Sequence, residues 1–309
     1  MKPLDFVIIG AQKCATTALF ELLREHSDIA MPLEKEVPFF TEQDCSAENW
    51  KAFSNQYYGA QSKDKLWGKA TPQYMSDPYV PQRLYNLMPD TKLVAILRDP
   101  VERTYSHYQM GRRRATEDNT FEDAITQLLA SDCDQVPALP SHLDGYESES
   151  DFYIRWSEYG RVLSNYLRYF DEGQLLVLYT EDLEQHPEAT LDRLLAFLEL
   201  SPGYRPAALG KKVHAGGSNN LIPHALRTKL RSIGPLFWLW QQVPAARQGR
   251  LRFLYEQWNT RKSENNEVPL SQPLRKKLEA HFSRDLQKLM GMPIDLPPWV
   301  DRYLKRAAI

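Results

Sequence analysis

The sequence is poor in cysteine, with three residues, Cys14, Cys45 and Cys133, in a chain of 309. An odd and scattered set supports neither an even disulfide framework nor a metal-ligand spacing, so a cystine-stapled scaffold and a structural zinc site are excluded. The thiols read as small buried or loop residues in a reducing compartment. A long hydrophobic run is also missing, because no stretch approaches the roughly 18 apolar residues that span a bilayer. Charge of one sign is not in excess: 38 Lys and Arg stand against 40 Asp and Glu. That balance disfavours a chain that coats nucleic acid, whose footprint is a strongly basic face. Met1 to Asp5 lead straight into a strand-like run without the basic and apolar regions of a secretory leader. No repeat, low-complexity tract or dividing linker is visible. The expectation is a cytoplasmic protein folded as a single domain over residues 1–309, with a core over about 4–220 and a helical region over about 221–309.

What is present is an alternation of short apolar runs with helical periodicity. Leu4 to Ile9 ends in Gly10, and Leu19, Leu22 and Leu23 then recur at helical spacing within Thr16 to His26. A short second strand is expected at Ile29 to Met31. Lys92 to Leu97 is a further strand, followed by a helix from Val101 to about Arg112, with Asp99 suited to its N-cap and Pro100 to its first turn. Phe152 to Phe170 reads as one helix, Gln174 to Tyr179 as a strand, and Glu188 to Leu198 as a helix. Strands alternating with helices predict an α/β fold with a parallel β-sheet flanked by helices. Ser131 to Ser150 and Leu200 to Asn220 read as lid insertions. The aromatic patch Phe237 to Trp240 suits helix packing or a binding surface. The tail Pro297 to Leu304 suits docking on its own body or on a neighbour, and the sequence carries no signature of an oligomeric state.

Two loops carry the chemistry. The first is Gly10-Ala11-Gln12-Lys13-Cys14-Ala15-Thr16-Thr17, between the first strand and the first helix. A helix start presents free N–H groups and a partial positive charge to an anion. Lys13 adds a full charge, and Thr16 and Thr17 add hydroxyls; the plainer reading is that Thr16 only caps the helix. A Walker A loop has its Lys directly followed by Ser or Thr, whereas Lys13 lies three residues before Thr16. The second element is Arg98-Asp99-Pro100-Val101-Glu102-Arg103-Thr104-Tyr105-Ser106. Arg98 ends a strand at the edge where open α/β sheets bind ligands. An Arg fork with a hydroxyl from Ser106 suits a phosphate monoester. Anion sites on two loops of one edge imply a ligand with phosphates at two ends.

The spaced pair GxxKxxTT and RxPxxRxxS resembles the PAPS-dependent sulfotransferases, where PAPS is 3′-phosphoadenosine 5′-phosphosulfate. The similarity covers most of residues 4–220 and is nearest the carbohydrate branch (heparan sulfate 3-O-sulfotransferase-like) and its bacterial relatives. Lys35 to Phe40 is similar to that branch's KExxFF segment, and Thr71-Pro72-Gln73-Tyr74 to its TPxY segment. The resemblance implies a P-loop-like sulfotransferase fold with PAPS as donor and no metal. It places the 5′-phosphosulfate on Lys13, Cys14, Ala15, Thr16 and Thr17, and the 3′-phosphate on Arg98 and Ser106. A later basic loop, Lys211 to Gly217, is more loosely similar to a segment that closes on the nucleotide, which would fall to Lys212 and Gly216; the plainer reading is an ordinary exposed turn. Two departures stand out. The family usually has Gly where Cys14 or Ala15 stands, and Ala70 replaces the Lys often found before TP, with Lys69 displaced by one.

The implied reaction is in-line transfer of a sulfuryl group to an acceptor hydroxyl, with Lys13 neutralising the leaving phosphate and Glu36 taking the proton. The apolar run Val37 to Phe40 would desolvate Glu36 and suit it to that role; the plainer reading is a solvated Glu beside Lys35. His107 and His214 are rival bases. The acceptor expected is a carbohydrate or a glycosylated or polyketide-type small molecule, with no nucleic acid and no membrane span. Two other readings are a P-loop-like kinase, disfavoured by the departure from Walker A, and a non-catalytic nucleotide-binding module of the same fold.

Overall fold

The apolar run at the start of the chain forms a central strand, β1 (Phe6–Gly10), buried at all five positions. A strand buried on both faces needs continuous hydrophobicity rather than alternation, and Phe6 to Ile9 supplies it. The computed structural model describes residues 2–130, 152–210, 218–220, 260–262 and 270–307, apart from 60, 62 and 115. The sheet also holds β2 (Ile29–Ala30), β3 (Leu66–Ala70), β4 (Lys92–Leu97) and β5 (Leu175–Tyr179), in the order β2-β3-β1-β4-β5. Every pairing in it is parallel. The chain first builds the β3 and β2 side of β1 and then crosses to β4 and β5. The loops after β1 and β4 therefore flank the crevice where the winding reverses, which is where such sheets bind ligands.

Helices α1 (Thr16–Arg24), α2 (Ala47–Tyr57), α3 (Val80–Leu87), α4 (Pro100–Arg114), α5 (Phe121–Ala130), α6 (Tyr159–Tyr166), α7 (Thr180–Gln185) and α8 (Pro187–Phe197) accompany the sheet. A small antiparallel pair joins β6 (Ser218–Asn220) to β7 (Thr260–Lys262). Two further helices, α9 (Gln272–Met290) and α10 (Val300–Ala307), end the described chain.

Two local expectations change. The helix expected over Phe152 to Phe170 is broken into a 3-10 turn, Arg155–Ser157, and α6. Glu158 between them has a non-helical ψ of 70°, and its carboxylate is drawn to Arg161 at 2.7 Å and His281 at 2.9 Å. Asp285 of α9 then accepts from the N–H groups of Gly160 and Arg161, both at 2.8 Å, restarting the helix from outside. The second change is β3, which has no counterpart in the sequence reading. Its residues LWGKA interrupt the apolar pattern with Gly68 and Lys69. Gly68 is required because the Phe6 ring lies over it, with Phe6 Cζ 2.0 Å from where a Cβ would stand.

Helix α9 meets α6 backbone to backbone. A Cβ at Gly160 would lie 2.3 Å from the Asp285 carbonyl oxygen and 2.8 Å from the Leu289 nitrogen. Apolar side chains Leu278, Phe282, Leu286 and Leu289 of α9 are buried in the same core as Leu163 and Tyr166 of α6. Cys133, the insertion at 131–150, the patch at 237–240 and the loop at 211–217 lie outside the described residues.

Candidate functional site

The loop after β1 is shaped by its own backbone. Lys13 and Ala15 have positive φ values of 73° and 62°, a region L-residues enter at a cost of about 1–2 kcal/mol each. Left-handed residues in a loop let successive N–H groups curl around an anion. Helix α1 begins at Thr16, and its N-cap is Ala15, which offers the first turn no side-chain acceptor. Thr16 is thus a helical residue rather than the cap. Lys13, Ala15 and Thr17 are half-buried and Thr16 is buried. Cys14 turns the other way. Its side chain is fully buried, with Sγ 3.7 Å from the Tyr159 hydroxyl and 3.8 Å from the Gln12 carbonyl oxygen. Burial pushes this thiol up to about 11, against the opposing pull of Arg103. Its N–H donates to the Ala11 carbonyl, so Cys14 serves the loop's interior rather than a ligand face.

The loop after β4 is held by side chains. Asp99 Oδ1 accepts from the N–H groups of Val101 at 3.0 Å and Glu102 at 3.2 Å, the cap that the sequence anticipates. The Asp99 N–H donates to Glu181 Oε1 of α7 at 3.1 Å, and burial raises the Glu181 pKa. Arg98, half-buried at the strand end, has its carbonyl fixed by the Tyr159 hydroxyl at 2.9 Å. Ser106 lies half-buried on α4. Arg103 of the same helix is fully buried and donates from Nε to the Gln12 carbonyl at 3.0 Å and from Nη1 to the Tyr153 carbonyl at 3.1 Å. Arg103 and Tyr159 thus bind the two loops into one wall. Neither is readable from spacing as a ligand residue, and both act by joining distant backbone.

Glu36 enters beside the end of β3. Its N–H donates to the Ala70 carbonyl at 3.1 Å, its φ is 65°, and its carboxylate pairs with Lys35. The expected desolvation is not found, because the Glu36 side chain is 41% exposed. Phe39 and Phe40 pack inward on Trp50, Phe53 and Tyr74 instead of covering it. The Tyr74 hydroxyl accepts from the Phe39 N–H at 2.9 Å and the Phe40 N–H at 3.2 Å. Lys69, the lysine displaced by one from the family position, is turned inward. Fully buried in β3, it donates to the Val37 carbonyl and stands 4.8 Å from the Phe53 ring centroid. Burial drives its pKa down to about 7, while Glu36 favours its charge and Lys35 opposes it.

His107 is removed from the rival bases. It is fully buried, stacked on Trp156 and 3.1 Å from Arg103 Nη2. Lys212, Gly216 and His214 lie outside the described residues. The parallel pairing of β3, β1 and β4 brings the Glu36, Lys13 and Arg98 loops to one sheet edge. Lys13 beside an uncapped helix start, and Arg98 on a braced peptide, fit a ligand bearing two anionic groups. Among the described residues no group of three His, Cys, Asp or Glu side chains is placed to hold a metal, and no helix is long and apolar enough to cross a membrane.

A family model described as a sulfotransferase domain matches residues 3–209. The chain is 36% identical over 134 residues to membrane-associated sulfotransferase kil1 of Dictyostelium discoideum, covering 43% of this chain and 28% of that protein. It is 30% identical over 194 residues to heparan sulfate glucosamine 3-O-sulfotransferase 3B1 of Mus musculus, covering 63% of this chain and 45% of that protein. The chain spans about half or less of the length of these curated relatives. The crystal structure of a sulfotransferase from Alicyclobacillus acidocaldarius superposes with a TM-score of 0.65 at 19% identity, covering 97% of this chain and 99% of that one. At that identity the likeness shows the fold.

Proposed function

The chain belongs to the sulfotransferase domain family, and from that membership we propose that it transfers a sulfuryl group from PAPS to a hydroxyl of a carbohydrate, glycosylated or polyketide-type small molecule. The observation that supports it most is the joining of two cation-bearing loops, after β1 and after β4, by Arg103 on the Gln12 carbonyl and Tyr159 on the Arg98 carbonyl. PAPS has anionic groups at both ends of one nucleoside and brings the activated S–O bond. In this reading Lys13, Ala15, Thr16 and Thr17 hold the 5′ end, and Arg98 with Ser106 holds the 3′-phosphate. Lys212 and Gly216, carried over from the family resemblance, belong to the same proposal as further contacts to the nucleotide. The name of the murine relative, a heparan sulfate glucosamine 3-O-sulfotransferase, favours a sugar among the acceptors.

The acceptor oxygen forms a bond to sulfur as the bond from sulfur to the 5′-phosphate oxygen breaks. Its electron pair leaves with the phosphate, and the hydroxyl proton passes to Glu36. Lys13 neutralises the charge growing on the leaving oxygen. Thr16, Thr17 and the uncapped start of α1 hold the sulfuryl oxygens, an electrostatic role that requires no rearrangement during reaction. Glu36, half exposed and paired with Lys35, can meet an acceptor arriving from solvent. A cytoplasmic site of action belongs to the same proposal and accords with Cys14 and Cys45, which are free thiols.

Transfer of labelled sulfate from PAPS to a panel of sugars and small hydroxyl compounds tests the reading, with calorimetry of adenosine 3′,5′-bisphosphate as its companion. Glu36→Gln should bind the bisphosphate as the parent does while transfer falls by roughly 10²–10⁴-fold. Full activity in that variant removes Glu36 as the base, and failure of the parent to bind the bisphosphate removes the function.

A further inference from the structure

The peptide that follows Arg98 is gripped from the far end of the chain. The Tyr303 hydroxyl of α10 donates to Asp99 Oδ1 at 2.9 Å, and Arg302 Nη1 donates to Asp99 Oδ2 at 2.8 Å. The same carboxylate caps α4, and the Asp99 N–H is taken by Glu181. Asp99 is buried and Tyr303 is fully buried, whereas the Arg302 side chain is about half exposed. Burial and the neighbouring Asp99 carboxylate hold the Tyr303 pKa well above its ordinary value, so the hydroxyl remains a donor. Trp299, just before α10, supplies the apolar contact, with ring centroids 5.6 Å from Tyr303, 6.3 Å from Tyr179 and 6.4 Å from Tyr159. Tyr159 in turn fixes the Arg98 carbonyl. Arg98 and Asp99 are therefore braced by residues that lie beyond the family match ending at 209.

Packing alone does not require this pattern. Trp299 and the Tyr303 ring bury apolar surface, but the Tyr303 hydroxyl and the Arg302 guanidinium spend their bonds on one carboxylate next to Arg98. A flexible arginine binds an anion more tightly when its backbone is held before the ligand arrives, since less order is imposed on binding. We propose that Tyr303 and Arg302 are positioning residues that act through Asp99 to hold Arg98 ready for the nucleotide's 3′-phosphate. The proposal rests on the reading of Arg98 as a phosphate ligand.

Calorimetry on the full chain separates this role from general support. The ligands are adenosine 3′,5′-bisphosphate and adenosine 5′-phosphosulfate, which lacks the 3′-phosphate. Tyr303→Phe, which keeps the ring, and Tyr303→Phe combined with Arg302→Gln should weaken the bisphosphate by about threefold and tenfold. Affinity for the phosphosulfate should stay within twofold, and Arg302→Lys should keep most of the affinity for the bisphosphate. Unchanged bisphosphate affinity in both variants overturns the proposal. An equal loss for the two ligands overturns it as well, because it marks a structural role. If the double variant does not fold, Tyr303→Phe alone decides. If the parent binds no bisphosphate, the proposed function fails with it, an outcome distinct from equal binding by parent and variants.

Discussion

The loops that leave the sheet at β1 and at β4 stand side by side but are maintained in different proportions by backbone and side chains. The first is set mainly by its own backbone, with two left-handed residues, Lys13 and Ala15, and a helix start with no side-chain cap, and Arg103 of α4 braces its Gln12 carbonyl. The second is set by side chains from elsewhere, with Tyr159, Glu181, Arg302 and Tyr303 converging on Arg98 and Asp99. A backbone-built loop carries its chemistry in consecutive residues. A braced loop spreads its support over more than 200 positions of sequence, from Arg98 to Tyr303.

The contrast predicts different failures. Lys13→Ala should lower sulfuryl transfer by about 10²-fold or more, as loss of a preorganised charge at the reacting centre does, with a smaller effect on bisphosphate affinity. Arg98→Ala should act chiefly on binding, weakening the bisphosphate by roughly 10–100-fold through loss of charge-assisted hydrogen bonds. Transfer assays and calorimetry on both variants measure the split, and identical profiles would erase it.

The loop bearing Glu36 sides with the braced type, because buried Lys69 holds its Val37 carbonyl. Burial lowers the Lys69 pKa from an ordinary 10.5 to about 7. Between those values the unfolded chain binds more protons at this position than the folded one, so stability rises with pH across the window. Below pH 7 the cost of the buried charge is fully present. Urea unfolding at pH 7 and pH 9 should show the parent gaining about 2 kcal/mol relative to Lys69→Met over that interval. A pH-independent difference would mean that Lys69 titrates as an exposed lysine does.

The smallest expected effect lies in the self-built loop. Ala15→Gly relieves a left-handed alanine and should stabilise the chain by roughly 0.5 kcal/mol, the strain relief being partly offset by the flexibility glycine adds to the unfolded state. A thermal unfolding midpoint that falls in this variant would show that the Ala15 methyl matters more than its backbone strain.

These differences explain what could be read in advance. Strands β1, β4 and β5, helices α1 and α4 and the Asp99 cap are written in local periodicity and capping residues, and their ends lie within two residues of expectation. The location of the Lys13 and Arg98 loops at one edge follows from the parallel sheet. Strand β3 was hidden because a glycine under Phe6 and a buried lysine break its pattern. The break before α6 was hidden because Asp285 of α9 makes it from outside. Glu36 was expected under an apolar cover, but Phe39 and Phe40 belong to the Trp50 cluster. A run of hydrophobic letters does not say which neighbour it will shelter. The tail, open between two destinations in the sequence, docks on its own chain through Asp99.

The absence of a side chain at Gly160 has a consequence for where the working unit ends. It lets α9 lie directly on α6 and deliver Asp285 to the helix that carries Tyr159. A polypeptide trimmed to the family-matched stretch would still possess Lys13 and Arg98. It would forfeit the Arg302 and Tyr303 grip on Asp99 and the Asp285 carboxylate that accepts from the Gly160 and Arg161 N–H groups at the start of α6.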